Sequence, residues 1–84
     1  MNKKYNVAII GSGSIANKFH IPAFKKNKNV NEIILYDVNK KNLLKSSKIN
    51  KIKSVYTNFE RMISEKKIDI LNIGTPPSMH FHNI

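Results

Sequence analysis

Gly11, Gly13 and Ala16 stand directly after the apolar run Tyr5–Ile10, in the pattern GxGxxA. That pattern suits capture of a phosphate by backbone alone. A chain that leaves a strand, turns sharply and starts a helix aims unpaired N–H groups, here those of Ser14 and Ile15, at one point on the positive end of the helix dipole. The three small residues act differently. Gly11 permits the turn, Gly13 lets the backbone approach a pyrophosphate with no Cβ in the way, and Ala16 lets the helix lie against the strand it has left. The second chemical group is Asp37, 24 residues beyond Gly13, against about 20 in dinucleotide sites. It closes the apolar run 32–36, where a carboxylate can accept hydrogen bonds from an adenosine ribose. Strand, turn, helix, strand and acid agree on a dinucleotide. Asp37 favours NAD because it would repel the 2′-phosphate of NADP, yet Lys40 and Lys41 follow so closely that NADP stays possible. A solvated helix face is the blander reading of those lysines.

The remaining reactive side chains are weaker signals. His20 lies just before Pro22, where a histidine is more often packed or capping than catalytic. Thr75 could bond the ribose or nicotinamide side of the cofactor, with Pro76 fixing its loop. His80 and His82 form an HxH with no carboxylate or cysteine beside it, which is poor metal-ligand evidence, so no metal is expected.

These groups need a particular scaffold. Tyr5–Ile10 has the length and β-branched content of a buried strand, and the helix after Gly13 is expected to reach about Lys28, with Ile15, Phe19 and Ala23 facing the sheet. Pro22 should kink or restart it. After the second strand, 32–36, Asn39 can cap a short helix to about Ser47 whose Leu43 and Leu44 turn inward. Ser54–Tyr56 reads as a third strand. Thr57 and Glu60 then form a TxxE capping box for a helix with Phe59, Met62 and Ile63 on one face. The run 68–74, IDILNIG, reads as a central parallel strand covered on both faces, and Asn72 needs a partner if buried. The fold class is α/β: a Rossmann-type parallel sheet, its first four strands in the order 3-2-1-4, with helices on both faces. That order leaves the fourth strand with an unpaired outer edge.

The chain has 84 residues, a formal charge of +10 and no cysteine. A disulfide framework and a thiolate metal site are excluded, and a reducing, cytoplasmic compartment fits. The lysines are spread over every surface segment, and Lys, Asn and Ile, all abundant, share AT-rich codons. Genome composition therefore explains the charge better than a nucleic-acid face, and no nucleic-acid partner is expected. Lys3 and Lys4 before VAII superficially resemble a signal peptide, but Asn6 and the glycines interrupt the apolar segment. No apolar run is long enough to span a membrane.

VAIIGSGSIA, the HIPAF helix, the strand ending in YDVN, and IDILNIGTPPSMH together resemble the N-terminal domain of the Gfo/Idh/MocA oxidoreductases, the family of glucose-fructose oxidoreductase and inositol dehydrogenase. The likeness runs from Tyr5 to the last residue, and its more specific parts are His20 with Pro22 and the TPP loop followed by His80. It implies an NAD(P)-dependent enzyme that moves hydride to or from a hydroxyl-bearing carbon of a sugar, cyclitol or nucleotide sugar. Carried over by residue, Gly11, Ser12, Gly13, Ser14 and Ile15 would meet the pyrophosphate, Asp37 the adenosine ribose, and Thr75, Pro76 and His80 the nicotinamide half. The family's catalytic lysine, in a Glu-Lys-Pro motif after the next strand, has no counterpart; Lys66 and Lys67 are misplaced for it. Its C-terminal substrate domain, which often carries the homo-oligomer interface, has none either. Residues 1–84 thus read as an incomplete dinucleotide-binding domain, catalytically silent alone. Other readings predict different ligands: a stand-alone nucleotide-sensing or interaction module binds NAD(H) as a stable chain, a basic nucleic-acid binder ignores NADH, and a methyltransferase binds adenosylmethionine.

Overall fold

The computed structural model describes residues 4–12 and 19–73. Four strands, β1 (Tyr5–Ile10), β2 (Val30–Tyr36), β3 (Ser54–Tyr56) and β4 (Ile70–Ile73), form one parallel sheet in the expected order β3-β2-β1-β4. Among the described residues the connecting helices are α1 (Ile21–Lys26), α2 (Lys40–Asn50) and α3 (Phe59–Glu65). Alternation along β1 and β2 sorts side chains to two faces. Val7, Ile9 and Leu35 pack with Ile21 of α1, Leu43 of α2 and Ile52. Ala8 and Ile34 turn the other way, against Met62 of α3. Helices therefore cover both faces, and the larger core lies under α1 and α2.

Asn6 ties the amino-terminal end of the sheet together. Its N–H donates to Asp69 Oδ2 at 2.8 Å and its carbonyl accepts from Asp69 N–H at 2.9 Å, while its side chain bonds Lys67 O and Asn31 Nδ2. The same residue that breaks the apolar N-terminal run thus fixes the entry of β4 beside β1.

Helix faces depart from expectation. The described α-helix runs Ile21–Lys26, after a π-helical turn at Phe19 and His20, and Pro22 stands in its first turn, where a missing N–H is harmless. Ile21 is its buried residue, with Phe24 packed beside the same core. Phe19 and Ala23 are exposed, Phe19 by 65%, because a residue two away from Ile21 is rotated by about 200° around the helix. Asn39 does cap α2, its Oδ1 accepting from Asn42 N–H at 3.0 Å. Of the apolar pair only Leu43 is inside, at 2% exposure against 51% for Leu44, and the helix runs on to Asn50. At α3 the cap is Asn58, not Thr57: its Oδ1 accepts from Arg61 N–H at 2.9 Å. That shift puts Arg61, and not Glu60, at the third helical position, so the capping box does not form. Met62 alone of its apolar trio is buried.

β4 differs most. It is shorter than the expected 68–74, and Ile70, Leu71 and Ile73 are exposed. The strand is apolar as a central strand would be, yet among the described residues it lies at the sheet margin, where its outer edge has no paired strand. The 84-residue chain on its own is therefore expected to associate, with a thermal transition that shifts with concentration; sedimentation equilibrium checks this, and a monomer with a sharp, concentration-independent transition contradicts it.

Candidate functional site

Parallel register brings the carboxyl ends of the strands together. Ile10 is opposite both Tyr36 and Ile73, and Tyr36 is opposite Tyr56. The chain leaves β1 through Gly11, whose φ of 92° is open only to a residue without a Cβ. Gly11 N–H donates to Tyr36 O at 2.8 Å, which fastens the turn to the end of β2.

Asp37 comes next on β2, its own N–H held by Tyr56 O at 3.1 Å. Its Oδ2 accepts from Ser12 twice, from the N–H at 3.0 Å and from the hydroxyl at 2.8 Å. Its Oδ1 accepts from Asn39 N–H at 2.9 Å. Burial alone would push the carboxyl up, but the hydrogen bonds from Asn39, Ser12 and Val38 outweigh it and hold Asp37 below the usual carboxylate range. An ionised carboxylate thus stands at the crevice between β1 and β2, the place where open α/β sheets bind ligands. These residues fit a dinucleotide at two points. A Cβ at position 11 would clash in the turn that leaves β1, and Asp37 is an ionised acceptor of the kind a ribose diol can donate to.

Two bonds here were not foreseen. Ser12, a variable position of GxGxxA that the family resemblance assigns to the pyrophosphate, is 2% exposed and grips Asp37. Asn39 doubles as helix cap and donor to Asp37, an Asx-type turn that the spacing Asp-x-Asn signals.

Gly13, Ser14, Ile15, Ala16, Thr75, Pro76, His80 and His82 lie outside the described residues. His20 holds the cap position of α1 but makes no capping bond, and its buried Nδ1 has no hydrogen-bond partner among the described residues. Lys40 and Lys41 are exposed in the first turn of α2, one loop away from Asp37.

Lys66 is at the other end of the sheet. It pairs with Glu32 at 2.9 Å, and Glu32 precedes Asp37 by five residues of extended chain, roughly 17 Å. The Ser54 hydroxyl and Lys66 together lower the Glu32 carboxyl below its ordinary range. A groove of about 350 Å³ opens at this end, lined by Phe24, Lys25, Glu32, Lys51 and Lys53 among others. Its carboxylate is already held by Ser54 and Lys66, so the groove brings no free acid to a ligand.

Among the described residues no helix is long and apolar enough to cross a membrane. The family model described as oxidoreductase family, NAD-binding Rossmann fold (GFO_IDH_MocA) matches residues 5–84. No curated protein sequence matches the chain. Among solved structures, the WlbA dehydrogenase of Chromobacterium violaceum, in complex with NADH and UDP-GlcNAcA, is similar with TM-score 0.77 and 25% identity, over 95% of this chain and 23% of that one. Myo-inositol 2-dehydrogenase of Lactobacillus plantarum is similar with TM-score 0.72 and 25% identity, over 88% of this chain and 22% of the other. The WlbA dehydrogenase of Bordetella pertussis, at 21% identity, shares the fold with TM-score 0.79, over 99% of this chain and 25% of that one. The chain spans about a quarter of the length of these structures.

Proposed function

The chain belongs to the Gfo/Idh/MocA oxidoreductase family, with its NAD-binding Rossmann fold, and from that premise we propose that it is the cofactor-holding part of a dehydrogenase. The enzyme would transfer hydride to or from a hydroxyl-bearing carbon of a sugar, cyclitol or nucleotide sugar. The observation that carries this reading is the ionised Asp37 latched beside the Gly11 turn, at the carboxyl ends of β1 and β2. The neighbours' ligands and names, UDP-GlcNAcA and inositol, point to the substrate class.

In this reading Gly11, Ser12, Gly13, Ser14 and Ile15 surround the pyrophosphate, and Asp37 accepts from the adenosine ribose. Thr75, Pro76 and His80 border the nicotinamide half. When bound, NAD supplies the hydride acceptor or donor. The chain's own part is to hold the dinucleotide by backbone donors and a carboxylate. Proton transfer from the substrate hydroxyl falls to a lysine elsewhere in a longer protein, together with a substrate domain and a homo-oligomer interface. A cytoplasmic setting accords with the cysteine-free sequence.

The experiment is a two-dimensional NMR titration of the protein with NADH and, in parallel, NADPH. Signals of residues 11–15 and of Asp37 are expected to move with NADH. Gly13→Val should abolish those shifts, because its side chain occupies the space the pyrophosphate needs. Wild-type affinity in that variant would remove the site from consideration, and no response of the wild type to either cofactor would remove the function.

A further inference from the structure

Ser12 lies at the second position of the glycine turn, a place the GxGxxA pattern leaves open to any residue. Here its two donors converge on one oxygen, Asp37 Oδ2, from 3.0 and 2.8 Å. The other oxygen is held from the opposite side by Asn39 N–H at 2.9 Å. The carboxylate is thus pinned between two loops, one from β1 and one from β2, and its plane is set before any ligand arrives. A carboxylate offers about four lone-pair sites; Ser12 and Asn39 engage three of them, and the Val38 N–H stabilises the carboxylate as well. A ribose diol needs two. Of these donors, all but the Ser12 hydroxyl are backbone N–H groups, whose positions are fixed by the Gly11 turn and by the loop into α2. The Ser12 hydroxyl is the one that can rotate about its own C–O bond and yield.

We propose that Ser12 is a positioning and specificity residue: its hydroxyl holds Asp37 in the ribose-accepting orientation and yields its lone-pair site on Oδ2 to a ribose hydroxyl of NAD. This rests on the cofactor reading above. A 2′-phosphate has no comparable proton to donate at neutral pH and meets a carboxylate that Ser12 keeps from swinging aside. Selectivity for NAD then comes from the pair, the acid that repels and the hydroxyl that keeps it in place. Without the hydroxyl, Asp37 keeps only the backbone N–H of Ser12 from the β1 side and can turn away from an incoming phosphate.

The test compares the wild-type protein with Ser12→Ala and Ser12→Cys, whose weakly donating thiol fills most of the same space. Dissociation constants for NADH and NADPH are measured by calorimetry, and the Asp37 carboxyl is followed through pH by carbon-detected NMR. Both variants are expected to shift the NADH to NADPH affinity ratio toward NADPH by about fivefold, the scale of one hydrogen bond. The Asp37 titration is expected to move upward in each. A wild type that binds NADH, with variants that keep both its ratio and its Asp37 titration, overturns the role of Ser12 and leaves the cofactor site standing. A wild type that binds neither dinucleotide overturns both.

Discussion

Asp37→Ala is expected to weaken NADH binding by about 100-fold while costing NADPH far less. Two hydrogen bonds from a ribose diol to a charged acceptor contribute roughly 1.5–3 kcal/mol each before competing terms, and a loss of about 2.7 kcal/mol is a factor of 100. For NADPH the same substitution also removes a repulsion between carboxylate and 2′-phosphate, and the two effects oppose each other. Asp37→Ser should act in the same direction with a smaller difference. Calorimetric titration of both cofactors against both variants checks this; an equal loss for NADH and NADPH would mean that the acid does not set selectivity.

The same substitution should be felt in the fold, because Asp37 is the shared acceptor for Ser12 N–H, Ser12 Oγ–H and Asn39 N–H. Loss of an acceptor for partly buried donors costs about 1–3 kcal/mol. In a domain of this size each kcal/mol lowers Tm by roughly 4–8 °C. Acid sensitivity follows with a definite sign. The hydrogen-bonded carboxyl of Asp37 ionises below its unfolded value, so its contribution is complete above the unfolded pKa of about 4 and disappears as pH falls through the folded one. Glu32 behaves alike through Ser54 and Lys66. Asp37→Ala should therefore flatten the loss of Tm below pH 4 without abolishing it, since Glu32 remains.

How far such a site is legible in sequence depends on the range of the interaction. The strands, the Gly11 turn and Asp37 are written in local patterns: β-branched runs, a residue that can take positive φ, an acid at a strand end. Chain order and right-handed crossovers then yield β3-β2-β1-β4. The grip of Ser12 on Asp37 spans 25 residues and exists only when two strand ends lie side by side, so neither residue announces it alone. Burial is harder for the same reason. Leu43 and Leu44 are chemically identical, and the rotation of α2 about its own axis, set where it packs on the sheet, decides that Leu43 enters the core. β4 shows how burial depends on neighbours as well as on composition. Ile70, Leu71 and Ile73 have the apolar character of a central strand, and among the described residues they stand beside β1 alone, so their burial depends on what else packs there.

Met62→Ala is expected to unfold much of the domain. One face of the sheet has its buried cluster built from Ala8, Ile34 and Met62, and Met62 is the contribution of α3. The side chain is 0% exposed, with Ile10, Tyr36, Tyr56 and Ile68 packed around the cluster. Ala8 is too small to refill the space, and Ile34 is anchored in the middle of β2, so the cavity cannot close by a local shift. Truncations of this kind cost about 2–5 kcal/mol. Small domains have only about 5 kcal/mol or little more in total. Beyond Met62, Phe59 of α3 packs edge-on against Tyr36 of β2 with ring centroids 5.4 Å apart. The polar contacts run along the surface: Tyr56 OH donates to Glu65 and Lys66 reaches Glu32, while Arg61 pairs with Glu65 within the helix itself. Exposed pairs of that sort add little. Ile63→Ala, on the same helix but exposed, is expected to change Tm by only a few degrees. Circular-dichroism melts of the two variants decide the matter. Comparable small losses in both would mean that α3 is held by Phe59 and its polar contacts, and that the Met62 face is not what keeps the sheet closed on that side.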